Sequence, residues 1–167
     1  DGREVAVKVL RPGIEAEFAR AIETYEWAAA HVEGFGGEAA RLRPRLVVAQ
    51  FRQWTARELD LQREAASASE LRENMVAEPG FFVPEIDWRR TARRVLTLEW
   101  VEGIKLTDRE ALIAAGHDCK ALAAILVRAF LRQAVVDGFF HADLHQGNLF
   151  ALPDGRIAAI DFGIMGR

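Results

Sequence analysis

The segment Phe140-His141-Ala142-Asp143-Leu144-His145-Gln146-Gly147-Asn148-Leu149-Phe150 sets two histidines, an aspartate and an asparagine in a short loop between apolar residues. Asp143 and Asn148 are five residues apart, and thirteen residues further on comes Asp161-Phe162-Gly163, closing the apolar run Ile157-Ala158-Ala159-Ile160. A carboxylate at a strand end, followed by glycine, can hold a hard metal ion. A nearby aspartate and asparagine can supply a base and a second metal ligand. Each piece alone is a common turn sequence; the pair, joined by a strand–turn–strand, is far more specific. His141 and His145, spaced His-x3-His, are a weaker metal pair, because no cysteine or third histidine lies near them in sequence. Packing and hydrogen bonding are the simpler roles for both.

An Asp, an Asn five residues on and an Asp-Phe-Gly form the set described for phosphoryl transfer in protein kinases. That chemistry also demands a lysine on an early strand, to meet the nucleotide phosphates. Of the 22 Lys and Arg residues only Lys8, Lys105 and Lys120 are lysines, and Lys8 falls in Val5-Ala6-Val7-Lys8-Val9. The lysine needs a carboxylate partner on a helix. Glu58-Leu59-Asp60-Leu61-Gln62-Arg63-Glu64 offers one: Asp60 and Glu64 are at i,i+4 and share a helical face. Like charges so placed cost a few tenths of a kcal/mol, so the face is either an ordinary solvated one or looks at Lys8 and at metal-bound phosphate.

The elements that must position these residues are readable. Residues 3–10 alternate as a strand, and Ile14 to about Val32 has helical spacing at Phe18, Ile22, Tyr25 and Ala29 before the glycines at 34, 36 and 37. Leu46 to about Met75 contains no Gly or Pro and reads as one long helix. Phe82–Trp88 and Arg94–Val101 read as strands joined by the polar turn 89–92. Thr107-Asp108-Arg109-Glu110 is a capping box opening a short helix that ends at Gly116. Asp118 caps a helix running to Asp137, with Gly138 as terminator. Short strands at 139–140, 148–152 and 156–161 follow, the last two joined by Pro153-Asp154-Gly155. This order is α+β, not an alternating βαβ sheet.

The long separation of Lys8 from Glu64, the Glu-x-Asp followed by Gln-Arg-Glu-Ala, the start Val-Lys-Val-Leu-Arg-Pro-Gly and the loop His-Ala-Asp-Leu-His-Gln-Gly-Asn together resemble the UbiB family. These are atypical kinase-like proteins associated with ubiquinone biosynthesis, and the resemblance covers essentially the whole chain. It implies a protein-kinase-like two-lobe fold: a small mixed β-sheet lobe with inserted helices over about 1–101, and the start of a mainly helical lobe over about 102–167. It implies that Lys8 binds nucleotide with Glu64 as ion-pair partner, that Asp143 is the catalytic-loop aspartate, and that Asn148 and Asp161 are metal ligands. Leu98-Glu99-Trp100-Val101 is implied as the hinge, where the backbone of Glu99 and Val101 meets adenine; Trp100 reads equally as core. Glu58 and Asp60 correspond to the family's Glu-x-Asp near nucleotide and metal.

The cofactors so implied are ATP and Mg2+. The implied partners are a lipid or quinone precursor, a membrane surface and other ubiquinone-biosynthesis proteins, on the cytoplasmic side of a bacterial inner membrane. The family's upstream Lys-x-Gly-Gln segment, its alanine-rich nucleotide loop and its C-terminal region have no counterpart in the sequence, which reads as a piece truncated at both ends. Two other readings stay open: a small-molecule phosphotransferase like the aminoglycoside and choline kinases, whose loop also fits Asp143-Leu144-His145-Gln146-Gly147-Asn148, and a nucleotide-binding scaffold without catalysis.

Composition bounds these readings. With 167 residues, 50% hydrophobic and 28% charged, the chain can bury a core and is not collagen-like, disulfide-stapled or wholly disordered. A net charge of -3 argues against a nucleic-acid partner held by a broad basic field. The single cysteine, Cys119, cannot form an internal disulfide, which points to a reducing compartment. No apolar run approaches the roughly 20 residues of a spanning helix.

Overall fold

Alternating valines make residues Val5–Val9 a strand, β1, which pairs with β3 (Val95–Glu99) in a two-stranded sheet. The computed structural model describes residues 2–37 and 41–167. They fall into two compact units, one of residues 1–8 with 61–167 and the other of residues 9–60.

The unit of residues 9–60 is a helical pair. Helix α1 (Ile14–Gly34) follows Gly13, whose φ of 83° only glycine adopts freely. Helix α2 (Pro44–Glu58) opens with proline at its first position, where the missing N–H costs nothing. The two are joined by edge-on rings of Tyr25 and Phe51, with centroids 6.2 Å apart, and by an Arg52–Glu26 ion pair at 2.8 Å.

The other unit carries the chemistry. Helix α3 (Leu61–Asn74) buries Leu61, Glu64, Ala65, Ala68 and Leu71, one face repeating at three and four residues, and it lies against β3. A mixed four-stranded sheet has the order β2 (Phe81–Phe82), β7 (Ile157–Ala159), β6 (Leu149–Ala151), β4 (Ile104–Lys105). β2 runs parallel to β7, whereas β6 is antiparallel to both of its neighbours, with Leu149 facing Ala159. Helix α4 (Arg109–Ala114) precedes helix α5 (Cys119–Leu131), which packs on β2 and β7. A π-helical turn, Arg132–Asp137, continues α5 to Gly138 at φ 62°. Finally β5 (Phe140–His141) pairs antiparallel with β8 (Met165–Gly166). The core is aliphatic: Leu71, Leu96, Leu149, Ile157 and the alanines of α3 and β7 are almost wholly excluded from solvent.

The α+β pattern, the β6–β7 hairpin and the Asp118 cap stand, the last accepting from the N–H groups of Lys120 and Ala121. Three local expectations change. The long helix from 46 to 75 is two helices, because the Leu61 amide leaves the helical ladder and donates to the Arg93 carbonyl at 2.9 Å. Asp60 lies in that break, outside α3, so it is not on a shared helical face with Glu64. The short helix is capped by Asp108, which accepts from Ala111 N, one residue later than the Thr107 box predicts. The strand expected over 82–88 shrinks to Phe81–Phe82 and an isolated Ile86–Leu98 bridge; Pro84 has no N–H to give a ladder.

Candidate active site

Lys8 projects from β1 onto α3. Its Nζ donates to both carboxylate oxygens of Glu64, each at 2.9 Å, and to Asp161 Oδ1 at 3.3 Å. Glu64 can reach it because that residue sits on the buried face of α3; its side chain is 7% exposed against 44% for Lys8. Glu64 Oε1 also accepts from Phe162 N at 3.3 Å, so one carboxylate grips the lysine and the Asp-Phe-Gly backbone together.

The electrostatics follow from this crowding. Burial alone would lower the Lys8 pKa, but the charges and hydrogen bonds of Glu64 and Asp161 outweigh it and hold the ammonium above its ordinary value. Burial pushes the Glu64 carboxyl up, and Asp161 adds to the rise; Lys8 and the Phe162 N–H offset it only in part. Lys8 is therefore a fixed cation near neutrality, held by a carboxylate that is costly to keep charged.

Asp161 has φ of 65°, one of two non-glycine residues with positive φ among those described. Aspartate tolerates this left-handed region better than most residues, yet it remains strained, and such strain gathers at functional sites. The conformation turns the chain straight after Ile160, whose N–H donates to the Asn148 carbonyl at 2.9 Å. That bond ties the Asp143–Asn148 loop to the Asp161 turn.

Within the loop several side-chain anchors are local. Asn148 Nδ2 donates to the Asp143 carbonyl at 3.3 Å, which engages the donor end of its amide within the loop. His141 Nδ1 accepts from Asp143 N at 3.2 Å, and His145 Nδ1 from Gly147 N at 3.0 Å. His145 Nε2 is 3.8 Å from Asp143 Oδ2. His141 is buried and its ring lies 5.7 Å from that of Phe162. Burial drives its pKa below the ordinary histidine range; the carbonyls of Ile160 and Asp161 lie close enough to oppose the shift without completing a hydrogen bond to Nε2. Both histidines are thus spent on loop geometry, and among the described residues no three His, Cys, Asp or Glu side chains gather into a metal cluster.

The structure brings Lys8, Glu64 and Asp161 into contact and links Asp143 and Asn148 to them through backbone bonds. Glu99 ends β3; its N–H donates to the Glu85 carbonyl at 2.8 Å and its carboxylate accepts from Glu85 N at 3.1 Å. Val101 follows in half-buried irregular chain. Glu58, at the end of α2, and Asp60 belong to the unit of residues 9–60. Sequence reasoning missed Gln133, which is fully buried and donates nothing, but whose Oε1 accepts from His141 N at 3.0 Å. Its signal was faint: one amide beside Arg132, in an otherwise apolar stretch from Phe130 to Val136.

The family description "ABC1 atypical kinase-like domain" matches residues 1–167. A protein of Xylella fastidiosa (strain M12) named "Probable protein kinase UbiB" is 46% identical over 173 residues, covering 100% of this chain and 31% of that protein. A protein of the same name from Xanthomonas euvesicatoria pv. vesicatoria (strain 85-10) is 48% identical over 171 residues, with 99% and 31% covered. The chain therefore spans about a third of the length of these relatives. A solved structure of Rv3197 with erythromycin, from Mycobacterium tuberculosis, superimposes with a TM-score of 0.63 at 31% identity, covering 99% of this chain and 41% of that one.

Proposed function

The chain belongs to the ABC1 atypical kinase-like family, and on that premise we propose that it carries the nucleotide site of an ATP-dependent phosphotransferase or ATPase of the UbiB type. One observation carries the reading: a lysine fixed as a cation by Glu64 and Asp161, from segments 56 and 153 residues away. A cation held between carboxylates on an open strand has little structural purpose, and it suits a polyphosphate.

The donor set fits magnesium. Asn148 offers an amide oxygen and Asp161 a carboxylate, both hard oxygen ligands that suit Mg2+, an ion that needs few protein ligands. When bound, Mg-ATP supplies a transferable phosphoryl group whose charge is partly neutralised. The chain's own residues then do the positioning. Lys8 meets phosphate oxygens, Glu64 holds Lys8 in place, and Asp143 orients the attacking hydroxyl or water and accepts its proton. The backbone of Glu99 and Val101 meets adenine, with residues about 1–101 and 102–167 as the two lobes around the nucleotide. In this reading Glu58 and Asp60 are the family's Glu-x-Asp motif.

The acceptor side in this reading is a lipid or quinone precursor at a membrane surface, in support of ubiquinone biosynthesis; the UbiB name of the bacterial relatives supports the ubiquinone role alone. No helix among the described residues is long and apolar enough to cross a membrane. A second reading, a small-molecule phosphotransferase, draws on the similar Rv3197 structure, a complex with erythromycin. Acceptor-dependent ADP release from small alcohols, rather than from lipids, would favour it.

The test is the melting temperature of the intact protein with and without Mg-ATP, beside Asp161→Asn. Ligand at 100 times its dissociation constant adds about 2.7 kcal/mol, a rise of roughly 5–11 °C for a domain of this size. The rise is expected to need magnesium and to vanish in the variant. No rise in the well-folded native protein would overturn the reading.

A further inference from the structure

Three consecutive amides lead into Asp143, and each has a different partner. Ala142 N donates to the carbonyl of Ile164, the residue just before β8, 3.0 Å away. In a strand, alternate N–H groups point to opposite edges, so His141 N must face the edge that no strand covers, since β5 and β8 form a sheet of two. There Gln133 Oε1 accepts it at 3.0 Å. Asp143 N then donates to the ring of His141, at Nδ1. The polar order runs from Gln133 to the His141 backbone, and from the His141 ring to the Asp143 backbone.

Gln133 is placed for this by the π-helical turn. Within Arg132–Asp137 the chain is wound wider than an α-helix, and the Gln133 carbonyl accepts from Phe139 N at 3.1 Å. Backbone and side chain of one residue thus take the first and third residues after Gly138. Single π turns recur at functional sites. Gln133 is 0% exposed, and its Nε2 has no hydrogen-bond partner. A methionine would fill the same volume without an orphaned amide, so packing alone does not call for glutamine here; the acceptor oxygen does.

We propose that Gln133 is the positioning residue of the Asp143 loop, fixing the His141 backbone and through it the amide of Asp143. The inference rests on the proposed phosphoryl-transfer role for Asp143, and its test has one arm that does not. In the intact protein, Gln133→Met removes the acceptor and keeps the bulk. Hydrogen exchange over residues 139–143 is expected to accelerate in Gln133→Met while α3 and β7 keep native protection. Mg-ATP turnover is expected to lose at least about tenfold in kcat, towards the ~100-fold that an ångström of misplacement costs, with KM for ATP nearly unchanged. Gln133→Glu, which keeps an acceptor oxygen at the same reach, should restore both. If Gln133→Met does not fold, Gln133→Asn, whose amide is one carbon too short, takes its place with the same expectations. Native exchange over 139–143 in a folded variant overturns the proposal, whatever the turnover. A native protein without turnover, but with protection over 139–143 lost in Gln133→Met, leaves Gln133 as the loop's anchor and removes the phosphoryl-transfer reading instead.

Discussion

Glu64 is buried with a charge beside two other charges, and its raised pKa has a stability consequence that can be signed. A group whose folded pKa is raised holds its proton more tightly when folded. The stability this contributes is complete below the ordinary value of 4.5 and is lost as pH rises through the folded value. Lys8, also raised, contributes stability that is complete below its ordinary 10.5, so it stays constant through the acid range. Glu64→Gln carries no titrating proton. Its stability relative to the native chain should therefore improve as pH is raised from about 4.5 towards neutrality, measured by urea denaturation at a series of pH values. A difference independent of pH would mean an unperturbed carboxyl. At this scale the sequence was legible where residue type is scarce or spacing is tight: Lys8 among three lysines, and Asp143, Asn148 and Asp161 within nineteen positions. That Glu64 rather than Asp60 turns inward depended on a helix boundary. Gln133 was illegible, because an amide directly after Arg132 reads as a solvent-facing position.

The elements explain why that boundary matters. A helix running unbroken from 46 to 75 would carry Asp60 and Glu64 on one face; starting a new helix at Leu61 leaves Asp60 in irregular chain and sets Glu64 on the stripe of Leu61, Ala65, Ala68 and Leu71. No Gly or Pro announces the break, since it is made by a tertiary bond to the Arg93 carbonyl. The β6–β7 hairpin was legible because Pro153-Asp154-Gly155 dictates its turn, and Gly155 takes φ 83°. The loss of most of the strand at 82–88 was written in Pro84, and β2 found its partner in β7, over seventy residues away. The stripe on α3 is the support of the site. Leu71 is 0% exposed and two helical turns from Glu64. Leu71→Ala should cost about 2–5 kcal/mol, read as a lower urea midpoint with unchanged m-value. A loss under about 1 kcal/mol would mean that α3 is not seated as described.

Across the whole molecule, burial is shared out unevenly. Among the described residues of the 9–60 unit only Ile22, Ala29 and Thr55 are buried, while Tyr25, Trp27, Leu46, Val47 and Trp54 are at least half exposed. The other unit holds the rest of the core, from Leu61 to Phe162. Local opening is easiest where few apolar contacts must be broken. Amides of α1 and α2 are therefore expected to exchange well before those of α3, β6 and β7 in a hydrogen-exchange time course. Equal protection would show that the helical pair opens only with the rest. The Lys8–Asp161 contact has a further consequence in the order of synthesis. Its partners are 153 residues apart, so the lysine is synthesised well before its second carboxylate exists. Contacts of such span are the slowest to form. A nascent chain holds the cation without its second counter-charge, and closing this contact is a late event among the contacts described.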